Sequence, residues 1–202
     1  MRRTKEDALA TKGKVLDAAL KIFIKKGYSQ TTLEDIVTSL RLTRGAFYWH
    51  FKDKDDLLAQ LILREHTYIA KLVTNAVQEG ATERDKLEKL MLNIVNSFYE
   101  NKRYRDYVYF VRFAVEFNSA SSYFKKLTGL NEFLIKEAQK ILTSALKKGQ
   151  LKTSIDPVST SVYIISMLDG MFRLYFALPS YLSEQKQAKK IVTNYIEILF
   201  GK

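Results

Sequence analysis

The chain has 202 residues, 47% of them hydrophobic and 27% charged, and no cysteine, an ordinary globular composition that excludes a disulfide framework and a thiolate metal site. The net charge of +11 favours a polyanionic partner, and it is densest at the start: residues 1–55 carry 12 Lys and Arg against 7 Asp and Glu, leaving 21 against 15 for the longer remainder. The basic start lacks the apolar stretch of a signal peptide, and no run of about 18 apolar residues offers a membrane span, so a soluble, cytoplasmic protein with no membrane partner is expected.

Only two prolines, Pro157 and Pro179, and eight glycines interrupt segments whose apolar residues recur at three and four positions. That period predicts an all-α chain of about nine helices, with no competing strand alternation and no internal repeat. A first helix over Lys5–Lys26 has Thr4 and Asp7 spaced as a capping box. Its stripe is Ala8, Val15, Leu16, Ala19, Ile22 and Phe23, and Gly27 is placed to close it. Thr31 and Glu34 form a second box for a short helix that buries Leu33, Ile36, Val37 and Leu40.

Thr43 is the predicted N-cap of a third helix, Arg44–Phe51, and Asp53 and Asp56 open a long fourth one over Lys54–Glu79. Further helices are predicted over Glu83–Lys102, Tyr104–Phe117, Ser121–Lys148, Asp156–Ala177 and Ser183–Phe200. Asp156 before Pro157 reads as an N-cap with proline at the first helical position, and Pro179 ends the same helix.

The second and third helices and the tight turn between them describe a helix-turn-helix. Phe47 and Phe51 stand four apart, so they should face the core, which leaves Thr43, Arg44, Tyr48 and His50 on the opposite face. Gly45 within a helix costs about 1 kcal/mol relative to alanine, and close approach either of DNA or of the first helix would offset it. Trp49 could touch a sugar edge or pack on the first helix.

From Ala18 to Leu57, and most densely in Thr43-Arg44-Gly45-Ala46-Phe47-Tyr48-Trp49-His50-Phe51, the chain resembles the tetracycline-repressor (TetR) family of bacterial regulators. The opening Arg2-Arg3-Thr4-Lys5-Glu6 and Lys52-Asp53-Lys54 place the likeness nearest the branch that represses multidrug efflux pumps. The resemblance implies a DNA-binding domain over residues 1–53 and a ligand-binding and dimerisation domain over 54–202. It also implies that Thr43, Arg44 and Gly45 meet base edges or adjacent phosphates, that Tyr48 and His50 grip the backbone, and that Thr32 and Lys54 each meet a phosphate. One departure stands out: the family's turn glycine is replaced by Arg41, where a left-handed conformation would cost about 1 kcal/mol. Arg41 then joins Trp49 among the candidate DNA contacts.

Beyond residue 60 composition is the guide. The Tyr104–Phe117 segment is too aromatic for a surface helix and should be buried in the body. An aromatic-lined cavity with a few polar groups is the default small-molecule site, the alternative being a solid aromatic core. Its candidate residues are His66, Asn96, Phe110, Phe113, Glu116, Phe133, Asp169, Phe172 and Phe176. A lone helical histidine such as His66 is also a common structural element.

Dimerisation is expected through the last two helices, with Leu168, Met171, Tyr175, Ile191, Tyr195 and Leu199 in an isologous contact. Partners are then a roughly palindromic double-stranded DNA operator, with half-sites about 34 Å apart, a small-molecule inducer and a second copy of the chain. No cofactor is implied. Two histidines, no cysteine and no glycine-rich phosphate loop argue against an enzyme. A basic helical protein that coats DNA without sequence choice is the rival reading, distinguished by a steep salt dependence with no preferred site.

Overall fold

The computed structural model describes residues 5–114, 122–152 and 154–201. Among them are ten α-helices and one π-helical turn, with no strand. In order they are α1 (Lys5–Lys26), α2 (Leu33–Ser39), α3 (Arg44–Tyr48), α4 (Lys54–Glu79), α5 (Glu83–Glu100), α6 (Lys102–Tyr109), the π-turn (Phe110–Ala114), α7 (Ser122–Lys147), α8 (Pro157–Ala177), α9 (Pro179–Leu182) and α10 (Gln185–Phe200). No helix among the described residues is long and apolar enough to cross a membrane.

Local chemistry sets most of these ends. Glu6 and Asp7 in the first turn of α1 and Lys25 and Lys26 in its last suit the helix dipole. Gly27 closes it at φ +82°, donating its amide to the Phe23 carbonyl at 2.9 Å. Asp156 caps α8 by accepting from the Ser159 amide at 2.8 Å, with Pro157 at the first helical position. The Thr4 cap predicted for α1 lies outside the described residues.

Four expectations are corrected. The N-cap of α2 is Thr32, whose partner is Asp35: the Asp35 amide donates to the Thr32 hydroxyl at 3.2 Å, and the Thr32 amide to the Asp35 carboxylate at 2.8 Å. Thr31 is buried and donates its hydroxyl to the Gly27 carbonyl at 2.7 Å, so it cannot cap the helix. The third helix stops at Tyr48, because the His50 amide turns to Phe47 at 2.9 Å in a tighter i→i−3 bond. The predicted sixth helix gives way after Tyr109 to the π-turn, its residues Val115–Phe117 lying outside the described set. Pro179 ends α8 and also opens the short α9, so the last predicted helix begins later, at Gln185.

The chain packs as two compact units. One takes α1 to α3, α4 as far as Glu65, and α6 from Arg103 with the π-turn; the other takes α4 from His66, α5, α7 from Thr128 and α8 to α10. In the first, Val15, Ala19, Phe23, Ile36, Phe47 and Phe51 are buried together with Leu57, Leu58 and Leu61. Each of these side chains larger than alanine contributes about 1.5 to 3 kcal/mol.

The first unit also settles the aromatic sixth segment differently from the expectation of a body helix. Tyr104, Tyr107, Val108 and Phe110 are buried there, and the π-turn packs on α1. A charged girdle ties the same elements: Arg64 bridges Asp17 of α1 at 2.8 Å and the buried Glu65 at 2.8 Å, and Arg103 reaches Glu65 at 3.1 Å.

In the second unit α10 lies along α5, and α8 packs on α5 and α9. Glu83, buried at the start of α5, accepts from Ser144 at 3.0 Å and from Lys148 at 2.7 Å, which holds the end of α7 to α5.

Candidate nucleic-acid interface

The recognition surface is built from the α2 cap upward. Lys26 and the Thr32 amide and hydroxyl all bond to Asp35 and hold its carboxyl down to about 2, so the cap is charged throughout the ordinary pH range. After Ser39 the chain reverses through Arg41, the one non-glycine residue with positive φ (+53°) among the described residues. Its amide bonds to the Thr38 carbonyl at 3.1 Å and that of Leu42 to the Val37 carbonyl at 2.9 Å. The turn thus keeps the left-handed residue that glycine favours, and Arg41 carries the strain with its side chain in solvent.

Thr43 then caps α3, accepting from the Ala46 amide at 3.2 Å. Phe47 and Phe51 are buried, as their spacing predicts, and this fixes which face of α3 looks outward. On that face Tyr48 is 56% and Trp49 73% exposed, beside exposed Thr43, Arg44 and Gly45 and half-buried His50. Trp49 does not bury itself on α1; with His50, Gly45, Ala46 and Ala8 it lines a cleft of about 380 Å³.

Of the two reasons offered for Gly45, close approach of α1 is the one that falls away. A side-chain carbon added there would meet nothing within 4 Å except the Thr43 hydroxyl, at 3.9 Å. No part of α1 needs the glycine.

Two of the phosphate-contact candidates, Lys54 and Thr32, make bonds within the protein. Lys54 is half-buried and turns its ammonium onto the Tyr28 and Thr31 carbonyls at 2.9 Å each, 4.5 Å from the Tyr28 ring centre, while the Tyr28 hydroxyl donates to Asp55. It pins the α1–α2 loop to the start of α4. Thr32 directs both its amide and its hydroxyl to Asp35. Sequence reasoning treated Glu34 only as a capping residue; it pairs instead with Arg44, at 2.7 and 3.0 Å to one carboxylate oxygen.

The ligand candidates are divided between the two units. Phe172 stacks on Phe98 with centroids 4.2 Å apart, and Phe176 meets the same ring edge-on at 5.7 Å. Phe110 is buried in the first unit against Phe23, whereas Phe113 is exposed. Asn96 accepts from Gln185 at 2.9 Å, and His66, Phe133 and Asp169 are partly buried. Glu116 lies outside the described residues.

The six dimerisation candidates differ in exposure. Leu168, Met171 and Leu199 are buried within their own unit and offer no area to a second copy, and Tyr175 packs edge-on against Phe98 at 4.9 Å. The exposed apolar side chains on the same helices are Val158, Val162, Tyr163 and Leu174 of α8 and Ile191 and Ile198 of α10, with Tyr195 packed on Tyr163. The i, i+4 spacing of Val158 and Val162 was the signal for this second stripe.

Comparison with known proteins places this geometry. Residues 15–61 match the family model of bacterial regulatory proteins, tetR family, and they span the cap, the turn and the recognition helix just described. The likeness to the tetR family is carried by this segment. Over its whole length it is 29% identical to the HTH-type transcriptional regulator TtgR of Pseudomonas putida, covering 98% of this chain and 96% of that one. The fold matches NalD of Pseudomonas aeruginosa, described as the secondary repressor of the MexAB-OprM multidrug efflux pump, with a TM-score of 0.77 at 20% identity over 96% and 97% of the two chains. It also matches SmeT in complex with triclosan, with a TM-score of 0.75 at 24% identity over 93% and 90%.

Proposed function

We propose that this tetR-family chain is a sequence-specific transcriptional repressor that works as a homodimer and is released from its operator by a small hydrophobic or aromatic molecule. In this reading residues 1–53 are the DNA-binding domain and residues 54–202 the ligand-binding and dimerisation domain. The observation that carries it is the outward face of α3, where Thr43, Arg44, Tyr48 and Trp49 stand exposed around a glycine whose open side has no internal occupant.

A helix of this width enters the major groove, and the roles divide by chemistry. Arg44 offers paired N–H donors to a guanine edge, and Thr43 and Gly45 allow close approach. Tyr48, His50, Trp49 and Arg41 hold the backbone. Lys54 acts through the loop it pins, and Thr32 through the cap it completes. Two such heads on a two-fold axis need a roughly palindromic operator with half-sites about one helical turn apart.

The exposed stripe of α8 and α10, led by Val162, Tyr163 and Ile198, is the isologous dimer surface in this proposal. The aromatic cluster around Phe98, with Phe172 and Phe176, supports an aromatic or hydrophobic ligand, which SmeT binds in the form of triclosan. Release requires that ligand to bind the DNA-incompetent arrangement more tightly than the competent one. The likeness to NalD supports genes of efflux or detoxification as the target.

The test is selection of bound duplexes from a random library at about 150 mM salt, where charge-only binding is weakened, followed by gel shift with a panel of aromatic and hydrophobic compounds. A palindromic winner displaced by some of the panel is the expected result. Binding without sequence preference would leave a DNA-coating protein instead.

A further inference from the structure

The Arg44–Glu34 pair is unusual for its setting. Both members are well exposed, 70% and 57% at the side chain, and they sit on the face that meets DNA. An ion pair this open contributes little to stability. A carboxylate on a DNA-facing surface also repels phosphates, so neither the fold nor bulk affinity accounts for it.

The geometry points to a third use. Arg44 Nε donates to Glu34 Oε2 at 3.0 Å and Nη2 donates to the same oxygen at 2.7 Å. Those two bonds take one edge of the planar guanidinium. Of its five donors three remain, and two of them, one on Nη2 and one on Nη1, form the parallel pair at the terminal edge that matches O6 and N7 of guanine. The carboxylate is steadied in turn, because the Thr38 hydroxyl one helical turn on donates to Glu34 Oε1 at 3.4 Å. Glu34 belongs to α2 and Arg44 to α3, so the pair also spans the two helices of the motif.

We propose that Glu34 is a positioning residue for base readout: it orients the Arg44 guanidinium before DNA arrives, sharpening selection for a guanine while lowering affinity for DNA in general. This rests on the reading above that Arg44 meets a base edge. A long, unbraced arginine could swing to any nearby phosphate and bind without discriminating. Braced through its Nε edge, it presents a fixed fork to one base.

The experiment measures full-length protein and its Glu34→Ala, Glu34→Gln and Arg44→Ala variants at about 150 mM salt. Each is titrated with the selected duplex, with duplexes changed one base pair at a time, and with a scrambled duplex; thermal melting confirms that each variant is folded. Arg44→Ala identifies the base pair that Arg44 reads. The expected result is that Glu34→Ala loses about tenfold of the discrimination at that pair alone, while binding scrambled DNA more tightly than the parent does. Glu34→Gln, which keeps an acceptor but no charge, falls between.

Unchanged discrimination at that pair in Glu34→Ala, with Arg44→Ala still selective, overturns the positioning role and leaves Arg44 as the reader. Equal loss at every position in Glu34→Ala also overturns it. Loss spread over all positions in Arg44→Ala would instead overturn the base-reading role of Arg44, and the positioning role with it.

Discussion

Phe23 of α1 and Phe110 of the π-turn are both fully buried, and their rings stack with centroids 5.6 Å apart and planes 27° from parallel. Phe23 lies near the end of the helix that leads into the α1–α2 loop, the loop that Lys54 holds from the other side. The aromatic segment after α6 is therefore part of the unit that carries the recognition helix. Phe110→Ala should lower stability by about 3 to 5 kcal/mol, measured by urea unfolding, because it removes a large ring from a closed site. A loss under about 1 kcal/mol would mean that the site collapses around the gap.

Gly45→Ala separates folding from binding. Space for the added methyl is open inside the protein, so the variant should be more stable by up to about 1 kcal/mol. DNA binding should weaken, because the same methyl intrudes on the approaching groove. Thermal melting and gel shift moving in opposite directions is the expected pattern; a variant that binds as well as the parent would remove Gly45 from the interface.

Lys54→Gln tests the loop clamp. Two carbonyls lose an ammonium donor, and the protein should be less stable by about 1 to 3 kcal/mol. A phosphate contact alone would leave stability untouched and reduce the salt slope of DNA binding by about one.

His66 gives a pH dependence of defined sign. Burial pushes its imidazole down to about 4, below the value of about 6.5 that it has in an unfolded chain. Between those values the unfolded chain binds a proton that the folded one does not, so stability falls as pH drops from about 6.5 to about 4 and then levels off. With solvent reaching part of the ring, the contribution is about 2 kcal/mol. Urea unfolding at pH 7 and pH 5 should show a larger acid loss for the parent than for His66→Gln; equal losses would contradict the assignment.

The helices and the recognition motif were legible in the sequence because local chemistry fixes them. Gly27 closes α1, Thr43 caps α3, Pro157 starts α8, and the Phe47 and Phe51 pair orients α3 whatever the rest of the chain does. Choices between adjacent, similar residues were not legible: Thr31 and Thr32 differ in which hydroxyl faces the Gly27 carbonyl, a matter of tertiary position. Which residues of α8 stay exposed was not legible for a related reason. The most apolar face of α8, with Ile164, Leu168 and Met171, is taken by the chain's own core, and Val158, Val162 and Tyr163 stay exposed on the next face round. The aromatic sixth segment was assigned to the body because hydrophobicity says that a helix is buried without saying against what; Phe23 decides that.

Sequence-specific recognition through α3 is tested most directly by competition at about 150 mM salt between the duplex selected from a random library and a scrambled duplex of equal length. A preference of at least about 10³-fold for the selected duplex, with Arg44→Ala losing about 1 to 3 kcal/mol at one base pair while Tyr48→Ala loses affinity for both duplexes alike, is the predicted result. Equal affinity for the two duplexes, falling steeply with salt, would contradict it and identify binding by charge alone.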